Sequence, residues 1–179
     1  MEKNTNIESV KQIEFAKKFA SEKFQEKDLN NHFLDVLTIL QDEFHIDDLE
    51  LLVSAILHDT LEDTDTTYEE LENVFSKTIA DLVQEVSHPK NYNEEQKVDY
   101  YEHLKHISPK AKIIKLADFT SNLRAIIKIR KSEPEKPYHD QYLIFIRAFL
   151  ESCPESEAKD VVQKLTVELE TYVTEKFKF

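Results

Sequence analysis

Apolar residues recur along this chain at steps of three and four, the spacing that lines one side of an α-helix. Val10, Ile13, Phe15, Ala16, Phe19 and Ala20 mark a first helix, with Asn6 as its cap. Leu29, His32, Val36, Ile39 and Leu40 mark a second, started by Asp28 or Asn30. A third carries Leu51, Leu52, Ala55, Ile56, Asp59, Glu62 and Asp63, with Asp47 as N-cap. Thr67-x-x-Glu70 reads as a capping box, and Ser76 caps a helix with Ile79, Leu82, Val83 and Val86. A loop over 88–93 leads to a short helix from Glu94 to Leu104. Ser108 and Pro109 form an N-cap and N1 pair for a helix whose stripe is Ala111, Ile114, Asp118, Asn122, Ala125 and Ile129. A loop over 131–137 precedes two closing helices within about 138–177, near 138–151 and 155–176. There is no internal repeat and no long heptad run. The pattern predicts an all-α helical bundle, one domain over 1–179.

Three of these stripes contain an anomaly. In the third helix the buried face passes from hydrocarbon to carboxylate at Asp59, Glu62 and Asp63, just after His58. His32 and Asp118 interrupt two other apolar faces. Buried carboxylates are costly unless paired or bound to a metal. His32, His58, Asp59 and Asp118 together offer two imidazoles and two carboxylates between helices, a donor set suited to Mn²⁺, Fe²⁺ or Zn²⁺ better than to Ca²⁺ or Mg²⁺.

Composition narrows the function. The chain has no Gly, the usual residue of left-handed turns, which favours helices joined by polar loops. Lys+Arg 23 against Asp+Glu 36 gives a formal charge of −13, a surface that repels nucleic acid and anionic membrane. An anionic substrate must therefore meet a local basic patch or a cation. A single Cys, Cys153, excludes an internal disulfide framework and fits a reducing cytoplasm. No run approaches the roughly 20 apolar residues of a membrane span, and the start lacks an apolar signal core.

Four segments carry a resemblance to a known family. His32-Phe33-Leu34-Asp35-Val36 begins the first; Leu57-His58-Asp59-Thr60-Leu61-Glu62-Asp63-Thr64-Asp65 is the second. Thr67-Tyr68-Glu69-Glu70-Leu71 with Phe75 is the third, and Lys115-Leu116-Ala117-Asp118 with Asn122-Leu123-Arg124 the fourth. In order and spacing, over about 15–124, they resemble the HD-domain phosphohydrolases, in particular the hydrolase half of the RelA/SpoT proteins and the small stand-alone alarmone hydrolases of the metazoan SpoT-homologue type. The resemblance implies a divalent metal, Mn²⁺ first and Zn²⁺ or Fe²⁺ next, held by His32, His58, Asp59 and Asp118. It implies Glu62 and Asp63 as the groups that orient water and handle protons, and Asn122 and Tyr142 as substrate contacts. The implied reaction is removal of the 3′-pyrophosphate from a guanosine tetra- or pentaphosphate alarmone, with no synthetase domain following.

The sequence departs from that family before His32, where a basic, Gly-containing segment is replaced by one offering only Lys23 and Lys27. Phe33 stands where the family has Pro, and Phe119, Thr120 and Ser121 follow the fourth motif in place of basic and aromatic residues. An Arg expected near Tyr138 is absent, so the phosphates fall to the metal and to Lys90 or Lys97. Another nucleotide or dinucleotide phosphate is a second substrate class, and a non-catalytic nucleotide-binding scaffold is a third reading. Self-association is open.

Competing structural roles also stand for single residues. Asp118 can pair with Lys115 or Arg124, Glu62 and Asp63 can end a solvated helix, and Asn122 can make a structural hydrogen bond. Arg124 reads as structural. His45, His88, His103, His106 and His139 read as surface residues, and Cys153 as a filler.

Overall fold

The computed structural model describes residues 2–24, 31–91, 93–132 and 141–176. Among these there are helices and no strand. In order they are α1 Glu2–Phe24, α2 His32–Thr38, α3 Leu49–Leu57, α4 Thr60–Asp63, α5 Tyr68–Val74, α6 Lys77–Val86, α7 Glu94–Leu104, α8 Pro109–Ser132, α9 Gln141–Ser152 and α10 Glu157–Lys176. A π-helical stretch, Ile39–Glu43, extends α2.

Two helices form the interior. All seven residues of α3 from Leu51 to Leu57 are buried. In α8 the buried run is Ile114, Lys115, Leu116, Ala117, Asp118, Phe119, Thr120 and Ser121. A helix buried on every side needs apolar residues all round, so the polar members of that run must each find a partner inside. Thr120 does so by donating to the Leu116 carbonyl at 2.8 Å. α2, α3, α6 and α10 pack around α8, and α1 covers α3.

The caps correct several expectations. α1 is already helical from Glu2, so Asn6 lies inside it, not at its start. Of the first apolar stripe, Ala16 and Ala20 are buried while Val10 and Phe15 are exposed. Asp28, Leu29 and Asn30 lie outside the described residues, and α2 starts after Asn31. Asp48, not Asp47, caps α3, accepting from the Leu51 amide at 3.1 Å. Thr67 caps α5 through the Glu70 amide at 3.2 Å. The Glu70 carboxylate, however, pairs with Lys23 at 3.1 Å. The reciprocal box sits unpredicted on α7, between Asn93 and Gln96. Ser76 and Ser108 cap as expected.

Without glycine, left-handed backbone among the described residues falls to Asn31, His45 and Asn91, with φ of 72°, 55° and 56°. Asn and His tolerate that region better than most side chains. The expected stripe of α8 fails at its end: Ala125 and Ile129 are exposed, and Leu123, Ile127 and Arg130 face inward. α10 lies along this part of α8 and draws the buried face round. The closing helices begin at Gln141 and Glu157; Tyr138 and His139 lie outside the described residues.

The cap assignment has a direct test. Asp48→Ala is expected to cost about 1 kcal/mol in denaturant unfolding, the usual value of an N-cap. Asp47→Ala, on an exposed side chain, stays within about 0.5 kcal/mol. Equal losses would place the cap elsewhere.

Candidate metal centre

The third helix does not run unbroken through the His-Asp pair. α3 ends at Leu57, and His58 and Asp59 form a turn before α4. The Leu57 carbonyl accepts from the Thr60 hydroxyl at 2.6 Å, and the Ser87 hydroxyl, 3.3 Å from the His58 carbonyl, donates to the Val83 carbonyl at 2.7 Å. Helix-terminal carbonyls left without an intrahelical partner are thus satisfied by side chains. The break leaves His58 buried, at 1 % exposure, and Asp59 half-buried at the same point.

His32 opens α2 and faces α8. Its Nε2 lies 3.0 Å from Asp118 Oδ1 and 3.9 Å from Asp59 Oδ2, while Nδ1 sits 3.2 Å from the Ser121 hydroxyl. His58 Nδ1 donates to the Ala55 carbonyl at 2.7 Å. That bond places the lone pair of a neutral ring on Nε2. Nε2 points to Asp59 Oδ1 at 3.0 Å and Asp118 Oδ1 at 3.9 Å. Neither contact is aligned as a hydrogen bond, and Nε2 is a fully buried polar atom with no hydrogen-bond partner. Leaving such an atom unpaired costs about 1–3 kcal/mol. One donor atom each from His32, His58 and Asp59 lies within 4.8 Å of the others, a spacing that can hold an ion.

The electrostatics call for a cation. Burial disfavours a charged ring at His58, but the Asp59 and Asp118 carboxylates outweigh it and push its pKa up to about 9. Burial works to raise Asp59, and the His58 ring beside it holds it below the usual carboxylate range. Asp118 is likewise opposed by burial and held well down by Lys115 first, then His32. A divalent ion held here would supply the positive charge that a proton on His58 otherwise supplies.

Asp118 has partners on both oxygens. Its Oδ1 also accepts from Asn122 Nδ2 at 2.7 Å, and its Oδ2 from Lys115 Nζ at 2.5 Å. Lys115 is buried, and although burial opposes its charge, Asp118 keeps it protonated. Its ammonium lies 5.2 Å from the Phe119 ring centre and 5.8 Å from that of Tyr100, both on the faces that attract cations. Arg124 instead makes a bidentate pair with Glu43, at 2.6 and 2.8 Å. The Lys115 and Asn122 contacts realise two of the structural roles weighed for Asp118 and Asn122, alongside their place in the centre.

His32, Asp59, Tyr100, Lys115, Asp118 and Asn122 line a cavity of about 470 Å³ that also includes Glu62, His88, Tyr101, Phe119 and Tyr142. Glu62 Oε2 lies 2.6 Å from His88 Nε2, and Glu62 Oε1 accepts from the His88 amide at 2.9 Å. Asp63 is half-buried and does not line the cavity. Lys90 and Lys97 do not line it either; Lys90 reaches the Thr64 carbonyl. Lys23 is held by Asp65 and Glu70, and Lys27 lies outside the described residues. Among the described residues, the lysine in the cavity wall is Lys115. Two residues with roles here were missed by local pattern. His88 is half-buried against Glu62 and Tyr100, not on the surface, and Lys115 passed as part of a motif. The Ser87-His88-Pro89 turn after an apolar helix was the available signal for the first.

A family model described as HD domain matches residues 13–145. The chain belongs to the HD-domain family. Membership implies a divalent ion, and the orphaned His58 Nε2 among carboxylates fits one. The chain is 51 % identical over 98 residues to the guanosine-3′,5′-bis(diphosphate) 3′-pyrophosphohydrolase of Danio rerio, covering 52 % of this chain and 53 % of that one. It spans about half the length of that relative. The Drosophila melanogaster protein of the same name is 35 % identical over 129 residues, 72 % of each chain. A solved structure of a metazoan orthologue of SpoT, described as hydrolysing ppGpp and playing a role in starvation responses, superposes with a TM-score of 0.75 at 27 % identity. The match covers 88 % of this HD domain chain and 94 % of the solved one. Among the described residues no helix is long and apolar enough to cross a membrane.

Proposed function

We propose that this chain is a metal-dependent guanosine 3′,5′-bis(diphosphate) 3′-pyrophosphohydrolase, with Mn²⁺ as its working ion and the cytoplasm as its compartment. The observation that carries this is the buried, unbonded His58 Nε2 at the meeting point of His32, Asp59 and Asp118. The curated names of relatives at 51 % and 35 % identity supply the substrate class.

His32, His58, Asp59 and Asp118 would hold the ion, which supplies Lewis acidity to water and to phosphoryl oxygens. The Ala55 carbonyl and the Ser121 hydroxyl fix the two imidazole orientations, the kind of outer support that tunes metal ligands. Lys115 and Asn122 hold Asp118 in place. Glu62, with its carboxylate on the cavity wall, handles protons; Asp63 does not line the cavity. Lys115 adds positive charge facing a bound phosphate, offsetting the poor basic segment before His32. Tyr142, packed edge-on to Phe119 at 6.0 Å, and Asn122 border the space a nucleoside would fill.

The test is release of pyrophosphate from a panel of nucleotides, alarmones included, by purified protein with Mn²⁺. The proposal expects guanosine 3′,5′-bis(diphosphate) to give pyrophosphate and GDP. Cleavage of a different nucleotide alone reassigns the substrate. No cleavage of any, with a nucleotide still raising the melting temperature, assigns a binding scaffold.

Chelation gives a second expected result. At free ion one hundred times its dissociation constant, the metal stabilises the fold by about 2.7 kcal/mol. Removing it should lower the melting temperature by roughly 5–10 °C for a chain of this size. An unchanged melting temperature would argue against a bound ion.

A further inference from the structure

Glu62 does not stand alone in the cavity wall. His88 holds it twice, through its ring at 2.6 Å and its backbone amide at 2.9 Å. The other ring nitrogen, Nδ1, lies 2.9 Å from the Pro89 carbonyl. A carbonyl oxygen only accepts, so Nδ1 carries a hydrogen. A neutral imidazole has one N–H and a bare Nε2. A bare nitrogen facing an ionised carboxylate oxygen at 2.6 Å would be repelled. The contact therefore contains a second proton, on Nε2 or on Oε2.

We propose that His88 is the proton-holding partner of Glu62, and that this pair delivers the proton taken up by the departing ribose oxygen. The inference rests on the hydrolase reading above. Water adds to the phosphorus bonded to O3′, and the P–O3′ bond breaks with its electron pair left on O3′. The pair gives its proton to O3′, and the proton lost by water restores the pair. Nothing else is consumed, and the products are the nucleoside 5′-diphosphate and pyrophosphate. His88 acts through Glu62, so it is a positioning and proton-storing residue.

The surroundings favour storage. Among the described residues, Glu62 on α4, Lys115 on α8 and Tyr100 on α7 bring charged or titratable groups to the ring. Burial and Lys115 oppose a charged ring, and Glu62 outweighs them, so the ring keeps its proton above its ordinary value of 6.5. Tyr100 holds the ring edge-to-face at 5.5 Å while its own hydroxyl donates to the Val86 carbonyl at 2.6 Å. A raised imidazole pKa extends the acid form to higher pH than an ordinary histidine allows, and turnover falls as pH rises through it.

The experiment compares the Mn²⁺-loaded wild type with His88→Gln and His88→Ala, with and without added imidazole, from neutral to alkaline pH. The expected loss in kcat is about 10²-fold, the low end for a general acid, with KM within about threefold. Gln cannot titrate, so the alkaline limb disappears in His88→Gln. Imidazole should restore turnover in His88→Ala by about tenfold or more, because it supplies the missing proton donor. Melting temperatures are read for both variants, and His88→Gln decides if the Ala variant unfolds. Turnover close to wild type, or a loss with the alkaline limb intact and no imidazole rescue, would overturn the inference. If the wild type itself cleaves no nucleotide, the hydrolase reading fails, and the inference falls with it.

Discussion

Glu62→Gln should lower turnover by about 10²–10⁴-fold, the range of a general acid–base group, while metal content and melting temperature stay near those of the wild type. The geometry separates the two roles. Glu62 lies on the same cavity wall as the metal centre, but its oxygens are engaged by His88 and not by His32 or His58. Gln keeps an oxygen to accept from the His88 amide and loses the charge that pairs with the ring. Metal analysis and steady-state kinetics on the same preparation check the result. A variant that loses its ion would make Glu62 a ligand. A variant that turns over normally would remove it from the chemistry.

Asp118→Ala should act on the fold as well as on the reaction. The carboxylate is buried at 4 % exposure and is the partner of Lys115, His32 and Asn122. Removing one partner of a buried ion pair typically costs about 3–5 kcal/mol, because the other charge is left uncompensated. For a chain of this size that is a fall in melting temperature of roughly 6–20 °C. Turnover should be lost with it. Lys115→Met in the same background removes the stranded ammonium, so the double variant should recover part of the stability and none of the activity. Differential scanning calorimetry of the single and double variants measures this. A single variant as stable as the wild type would mean that Lys115 finds another anion.

The meeting of His32, Asp59 and Asp118 was legible in the sequence because these residues fall on the helical period of apolar positions, where spacing and burial are linked. His32, Asp59 and Asp118 each interrupt an apolar stripe, with His58 beside Asp59, and a polar residue on a buried stripe needs a partner. The stripes say which residues turn inward and nothing of what they meet. His88 shows the limit: it lies in a loop with no period, and only the folding of that loop back onto α4 buries it. Lys115 shows another, since lysine is almost never fully buried unless paired. Its burial follows from α8 passing through the middle of the bundle. The end of α8 was misread for the same reason, because α10 covers a face the apolar spacing did not mark. Asp48 and Asp47 are adjacent and chemically alike; only the backbone, with Asp48 extended at ψ 108°, selects between them.

The most direct test of the account is hydrolysis of guanosine 3′,5′-bis(diphosphate) in ¹⁸O-labelled water by the Mn²⁺-loaded protein, with both products weighed by mass spectrometry. The account predicts metal-dependent turnover with the label in pyrophosphate and none in GDP, as water adds to phosphorus and O3′ leaves with the nucleoside. No turnover under these conditions, or label in the GDP, would contradict it.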